Sequence, residues 1–138
     1  MKNIVWIFFL VLGIFSCKEK HLSPEDIKPL VGKWQATAIE RAEKKEWEYI
    51  TQNGQNHLEI RYDGVILDAN GLPMCCSPRY LNLNGKRFSI VPKERVPDNS
   101  ICALVNCAYC ETWNMDLQND VLTVSHCKGL GRVRYIKI

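Results

Sequence analysis

The sequence predicts an all-β fold: a small antiparallel up-and-down β-barrel that begins with a short helical turn. Three observations support this prediction. From Trp34 onward, apolar and polar residues alternate over short runs, which is the period of a half-buried strand. Turn dipeptides such as Asn84-Gly85 separate the runs. The same region contains no long stretch with the apolar period of an amphipathic helix.

The helical turn is predicted near residue 23. Ser23 can cap a helix, and Pro24 suits the first helical position because its missing N–H would have no partner there. Glu25 and Asp26 place negative charge at the positive end of the helix. Pro29 follows closely, so we expect the helix to last about one turn.

The strands are predicted in order along the chain. Asparagine before glycine suits a two-residue hairpin turn, because both turn residues need positive φ. About eight or nine short strands joined in this way indicate a meander, either closed as a barrel or folded as a sandwich, and closure would remove the exposed sheet edges. The predicted strands are residues 34–41, 46–49, 57–62, 65–67, 81–83, 88–90, 112–117, 121–125 and 132–138.

One region lacks this alternation. Residues 92–106 contain two prolines and several turn-forming residues, and we expect them to form a long loop. Cys102, Cys107 and Cys110 lie at or just beyond its C-terminal end. Cross-links there would offset the shortage of apolar residues that could anchor the loop.

The first residues carry an export signal. Lys2 precedes an apolar run over residues 4–15, which is shorter than the roughly 20 residues that cross a membrane. The run ends at Ile14-Phe15-Ser16-Cys17, which resembles the lipobox of bacterial lipoproteins. The resemblance implies a signal peptide over residues 1–16 and a lipidated, palmitate-bearing Cys17. A tether over 17–28 and a barrel domain over 29–138 then follow.

The resemblance also implies an address. No aspartate follows Cys17, so we expect the protein to reach the outer membrane, with its lipid anchor as the contact with the membrane. Two alternatives remain open. The segment could be an ordinary cleaved signal peptide with a free cysteine nearby, or it could be a transmembrane anchor.

Cysteine is unusually frequent. Of the seven cysteines, lipidation uses Cys17 and leaves an even number in a compartment that favours disulfides. The six that remain allow 15 pairings, and the sequence does not choose among them. Direct bonding of adjacent cysteines is disfavoured by strain. The cysteines expected to form disulfides are Cys75, Cys76, Cys102, Cys107, Cys110 and Cys127.

Two other cysteine chemistries compete with disulfides. Cys107 and Cys110 have the spacing of a catalytic dithiol, but the strand–helix context of such a pair is missing. Four cysteines together with a histidine could instead hold zinc in a tetrahedral site, although adjacent ligands are awkward geometrically. The candidate zinc ligands are Cys102, Cys107, Cys110, Cys127 and His126.

Nothing in the sequence supports an enzyme, a cofactor or nucleic-acid binding. The formal net charge of +3 is small and its residues are scattered, unlike the basic surface of a nucleic-acid-binding protein. His21, His57 and His126 lack the local context of a nucleophilic triad. Asp116 and Asp120 belong to a predicted hairpin tip, where a solvated turn explains them better than acid–base catalysis.

A family resemblance appears at Gly32-Lys33-Trp34. A Gly-x-Trp at the first strand, directly after a short helical turn, resembles the lipocalins, and in particular the small lipocalin-like domains of bacterial surface lipoproteins. The late hairpin near residues 113–124 and the closing strand are similar as well. The resemblance implies that a late arginine, Arg132 or Arg134, packs over Trp34.

The resemblance implies a function only by analogy of fold. We expect an anchored barrel that binds a small apolar or amphipathic molecule in its mouth. The alternative is a structural or interaction lipoprotein whose barrel is filled by side chains, because eight strands can leave little interior space. A cysteine-based metal or redox protein is a third hypothesis. The sequence identifies neither the ligand nor a protein partner.

Overall fold

The computed structural model describes residues 23–51, 55–108, 110–127 and 129–138. The predicted signal peptide, Cys17 and His21 lie outside these residues. In the described part of the chain, no helix has the length and apolar character needed to span a membrane. The elements are α1 (Pro24–Ile27), β1 (Gly32–Glu40), β2 (Trp47–Tyr49), β3 (His57–Ile60), β4 (Ile66–Leu67), β5 (Tyr80–Leu83), β6 (Lys86–Ser89), a 3₁₀ turn (Ser100–Leu104), β7 (Thr112–Gln118), β8 (Val121–Ser125) and β9 (Arg132–Lys137).

The predicted helical turn is confirmed. The Ser23 side chain caps α1 and accepts a hydrogen bond from the Asp26 amide at 3.2 Å. Pro24 occupies the start of the helix, with Glu25 and Asp26 in the first turn. Ile27, the last residue of α1, is buried, so this single turn packs against the sheet.

The nine strands form one curled sheet, a half-barrel, in the order β4-β3-β1-β9-β8-β7-β5-β6, with β2 paired to β1 as well. The prediction of a mostly β fold is therefore confirmed. Two details differ from an antiparallel up-and-down barrel. β5 pairs with β7 in parallel, and β4 and β6 stand at opposite ends of the strand order.

The length of one connection explains the parallel pair, and the shortness of an edge strand explains the open barrel. Parallel neighbours need a long crossover, and residues 90–111 supply one between β6 and β7. β4 contains only Ile66 and Leu67, and after it the chain runs through an irregular segment to β5. Such a short edge strand offers few backbone groups for closing the barrel.

The predicted hairpin turns are confirmed. Asn84 and Gly85 both have positive φ, at 47° and 87°, and they join β5 to β6. Asn119 and Asp120 also have positive φ and join β7 to β8. These left-handed conformations give the turn a twist that matches the twist of the paired strands.

Alternation along the strands builds the core. In β7, Trp113 and Met115 are buried while Asn114 and Asp116 are exposed. Leu122 and Val124 of β8 face the same core. The concave side of the half-barrel therefore carries the apolar residues, and the outer side carries the polar ones.

Trp34 anchors one end of this core. Its side chain is completely buried, and Nε1 donates a hydrogen bond to the Leu30 carbonyl at 2.7 Å. Gly32 begins the strand with φ of 124°, and a Cβ there would lie 3.2 Å from Cε of Lys137. Both the conformation and the close approach favour glycine at this position.

Three disulfides cross-link the crossover, and all six cysteines predicted to be oxidised take part. The pairs are Cys75–Cys102, Cys76–Cys107 and Cys110–Cys127, with Cα–Cα distances of 5.1, 5.3 and 5.4 Å. These separations are normal for cystines. The first two pairs join the crossover to the loop before β5. The third joins its end to the residues that follow β8.

Candidate functional site

The best candidate for a small-molecule site is a cleft of about 590 Å³ on the core side of the sheet. It lies along the middle and far part of β1, away from α1, and between the segment after β2 and the loop after β4. Its volume is within the usual range of small-ligand pockets. The apolar residues that line it are Ala36, Ile39, Ile50, Leu58, Met74, Val133 and Tyr135.

A shift in strand register makes room for this cleft. The pairing of β1 with β9 is regular up to Ala36 and Tyr135, and then Ala38 pairs with Arg134, so that Thr37 is an extra residue. Ile39 consequently pairs with Val133, and both line the cleft. The bulge bends β1 where the cleft begins.

The polar groups of the cleft lie mainly at its rim. Asn56 accepts a hydrogen bond from Nε2 of Gln35 at 2.9 Å through its carbonyl, and His57 begins β3 beside it. Asp68 lies on the facing loop and accepts hydrogen bonds from the amides of Asn70 and Leu72. Such a distribution, with apolar walls and a polar mouth, suits an apolar or amphipathic molecule.

Tyr135 is the main polar side chain of the cleft wall. It is only 6% exposed, and burial raises the pKa of its hydroxyl to about 12. The hydroxyl is therefore neutral at physiological pH and can act as a hydrogen-bond donor or acceptor. It offers no charge to a ligand.

The interior beyond the cleft is filled. Trp34, Leu58 and Ile60 close the end next to α1, each with at most 1% of its surface exposed. Trp113, Met115 and Leu122 fill the opposite wall. One end of the half-barrel is thus packed with side chains, and the cleft lies at the other end.

The arginines expected over Trp34 lie elsewhere. Cζ of Arg134 lies 4.1 Å from the ring centroid of Trp47, and Cζ of Arg132 lies 5.4 Å from it. The cation beside Trp34 is Lys137, whose Nζ is 5.3 Å from that ring centroid. Register explains the difference, because Trp34 pairs with Lys137 while Arg132 pairs with Glu40, the β1 partner of Trp47.

The remaining predicted residues are dispersed. His57 is at the cleft rim, whereas His126 follows β8 and contacts Trp113 edge-on, with ring centroids 4.2 Å apart. Burial lowers the pKa of His126. Asp116 pairs with Thr123 on the outer face, and Asp120 lies in the hairpin turn.

The structure separates the ligands of the zinc alternative. Cys102 and Cys107 form disulfides with Cys75 and Cys76, and Cys110 pairs with Cys127. Across residues 23–51, 55–108, 110–127 and 129–138, the carboxyl, thiol and imidazole groups form no cluster of three or more that could hold a metal ion.

Several cleft residues could not be identified from the sequence. Ile50 and Met74 lie outside the regular strands, where an apolar residue has no period to mark it. The alternation in β9 marks Tyr135 as an inward-facing residue, but nothing in the sequence marks it as part of a cleft. The register shift at Thr37, which shapes the cleft, has no marker in the sequence.

Comparison of the chain with protein-family models, with curated proteins and with solved structures found no match. The resemblance to the lipocalins therefore stays a prediction made from Gly32-Lys33-Trp34 and the neighbouring motifs.

Proposed function

We propose that this protein is a lipid-anchored outer-membrane lipoprotein whose lipocalin-like domain binds a small apolar or amphipathic molecule. The observation that carries the binding proposal is the cleft, which combines apolar walls with a polar mouth. The lipobox-like segment ending at Cys17 supports the anchor, and Gly32-Lys33-Trp34 supports the family. The chemistry proposed is binding alone, with no catalytic step.

The geometry of the walls supports a ligand with one polar end. Met74 and Ile50 are partly buried and flank the cleft, and both pack against the core. An apolar ligand between them would remove these side chains from water, which favours binding by roughly 25 cal/mol for each Å² of apolar surface buried. Its polar end would remain at the mouth near Asn56 and His57.

The first experiment is native mass spectrometry of the protein extracted from its own envelope, followed by titration with a fluorescent fatty-acid analogue. We expect one bound molecule per chain. Met74→Glu places a charge in the wall and should weaken binding at least tenfold. Ile101→Glu is the control, because Ile101 is 61% exposed and lies in the crossover.

Equal affinity in the wild type and Met74→Glu would contradict the cleft as the binding site. Absence of binding in both experiments would favour the second candidate function, a structural or interaction lipoprotein. That candidate is supported by the packed end of the half-barrel around Trp34 and Leu122.

The anchor has its own test. Cys17→Ser should abolish incorporation of a clickable fatty acid and release the protein from the membrane fraction. Label retained in the variant would contradict lipidation at Cys17. Fractionation of the wild type between inner and outer membranes tests the proposed address.

A further inference from the structure

A second cleft lies on the outer, polar face of the sheet, on the other side from the apolar cleft. Its volume is about 720 Å³, and it extends across β5, β7, β8 and β9 toward β2. Most of the residues that line it are the outward-facing polar partners in the alternation that builds the core. The lining residues include Asn82, Asn114, Asp116, Thr123, Arg134 and Trp47.

Strand register explains why this face is concave locally. One row of paired residues runs from Asp116 through Thr123 to Arg134. Thr123 is short, whereas Asp116 and Arg134 on either side of it are longer. The short side chain thus forms a floor, and the longer ones form two walls.

One wall is an aromatic ring fixed by cations. The guanidinium of Arg134 stacks on Trp47, and Arg132 lies against the same ring. Arg132 is held in turn by a pair of hydrogen bonds to the Glu40 carboxylate, one of them 2.8 Å long. This contact raises the pKa of Arg132 and lowers that of Glu40, so both groups stay charged. The wall is therefore ordered without a ligand.

The other wall is built from amides. Asparagine is disfavoured in strands, yet Asn82 of β5 and Asn114 of β7 are paired in register. Nδ2 of Asn82 donates to Oδ1 of Asn114 at 2.8 Å. Oδ1 of Asn82 is buried and accepts no hydrogen bond from the described residues. Such an acceptor disfavours the folded state unless a donor satisfies it.

We propose that this outer cleft binds an oligosaccharide. A sugar ring has hydroxyl groups that both donate and accept, which matches the amide and carboxylate wall of Asn82, Asn114 and Asp116. It also has apolar C–H faces, which can pack on the part of the half-buried Trp47 ring that the two guanidiniums leave accessible. A carboxylate on the sugar could pair with the guanidinium of Arg134, which forms no salt bridge with another described residue.

A peptide fits this cleft less well. Extended peptides add to a free sheet edge or insert apolar side chains into pockets. Here the floor consists of β7, β8 and β9, whose backbone groups are already paired with neighbouring strands. Most residues that line the cleft are polar, and the apolar ones among them are Trp47, Met115 and Val121.

The test uses the full-length protein in detergent and two probes, a neutral cello-oligosaccharide and an acidic oligogalacturonate, after a screen on immobilised glycans. Binding is measured by calorimetry and by the change in tryptophan fluorescence. We expect one of the two sugar classes to bind, and Asn114→Ala and Asp116→Ala each to weaken it at least tenfold. Both residues are exposed, so the variants should keep the wild-type melting temperature.

The matched control is Asp98→Ala, an exposed carboxylate in the crossover, which should leave sugar binding unchanged. Arg134→Gln distinguishes acidic from neutral sugars: it should weaken binding of the acidic oligogalacturonate tenfold or more and leave binding of the neutral cello-oligosaccharide nearly unaffected. Binding of either sugar class at this cleft supports the proposal. Binding of the fatty-acid analogue should be the same in all these variants, so this proposal and the apolar cleft can fail independently.

Three results would overturn the proposal. One is the absence of any glycan signal for the wild type. Another is equal sugar affinity in the wild type, Asn114→Ala and Asp116→Ala when all three are folded. The last is a protein or peptide that binds in a manner dependent on Asn114 while no glycan does.

Discussion

The curled sheet and the crossover between β6 and β7 are stabilised in opposite ways. The sheet buries large apolar residues such as Trp34, Leu81 and Leu122, which have essentially no exposed surface. In the 3₁₀ turn of the crossover no residue is buried, and the side chains of Ile101 and Leu104 are 61% and 87% exposed. The crossover is joined instead to the rest of the chain by cystines.

This difference shows why a chain of this size contains so many cysteines. A parallel β5–β7 pair requires a long connection, and a long connection on the surface cannot bury enough apolar area to order itself. Covalent links restrict the unfolded chain and so stabilise the crossover without a core of its own. The following predictions test this division between burial and cross-linking.

The largest effect should come from the sheet. Trp34→Ala removes a completely buried ring and its hydrogen bond to Leu30, and should lower the free energy of unfolding by roughly 3–5 kcal/mol. Chemical denaturation of the wild type and the variant measures the loss. Trp47→Ala is the control: its ring is only half-buried on the outer face, and the loss should be less than half as large. Similar losses in the two variants would contradict the assignment of Trp34 as the anchor of the core.

Removal of a crossover disulfide should cost somewhat less. For Cys110→Ala combined with Cys127→Ala, the chain-entropy model gives a loss of about 3 kcal/mol, because the cystine closes a loop with a sequence separation of 17. Denaturant midpoints under non-reducing conditions report the change. Intact mass of the wild type should also show six fewer hydrogens than the reduced chain.

Removal of the Cys75–Cys102 disulfide tests whether cross-linking stabilises the crossover alone. Replacing both by alanine should make residues 91–106 sensitive to protease while hydrogen exchange in β1 and β8 stays slow, since those strands are held by burial. Loss of protection throughout the sheet would show that the two regions are not independently stabilised.

Asp63 joins the two regions, and its removal should have an intermediate effect. Burial by itself raises the pKa of this carboxyl, but hydrogen bonds from the Lys93 amide, Arg61 and the Val65 amide outweigh it and hold the pKa below 3.8. Asp63→Asn should lower stability by about 1–3 kcal/mol at neutral pH.

The pH dependence follows from the direction of this shift. Because the folded pKa of Asp63 is depressed, the stabilisation is complete above pH 3.8 and is lost as the pH falls through the folded value. Unfolding measured between pH 2 and 7 should show this acid loss in the wild type and a smaller one in Asp63→Asn. Parallel curves would contradict the role of the carboxylate.

The smallest effect should come from His126, beside the Cys110–Cys127 link. Burial against Trp113 lowers its pKa below 6.5, so the folded protein disfavours the protonated imidazole. The folded state therefore loses no stability through His126 above pH 6.5, and its free energy of unfolding decreases as the pH falls below that value. His126→Gln should remove this part of the pH dependence, which a comparison of melting temperatures at pH 5 and 7.5 would detect. A variant that keeps the full dependence would assign it to another group.

The sequence by itself determined the local features of this protein. The Ser23 cap, the Asn84-Gly85 turn and the alternation of Trp113 with Asn114 were all predicted correctly, because dihedral preferences and the period of two act between near neighbours. The number of strands and the presence of disulfides also followed from local pattern and composition.

Only the tertiary structure decided the long-range features. The parallel β5–β7 pair, the partners of Cys75 and Cys76, and the contact of Arg134 with Trp47 depend on which distant segments become neighbours. One extra residue at Thr37 changes the register of β1 against β9, and so decides which side chains line each cleft. Such pairings reflect the packing of the whole chain, and no short window of sequence contains the residues on both sides of the contact.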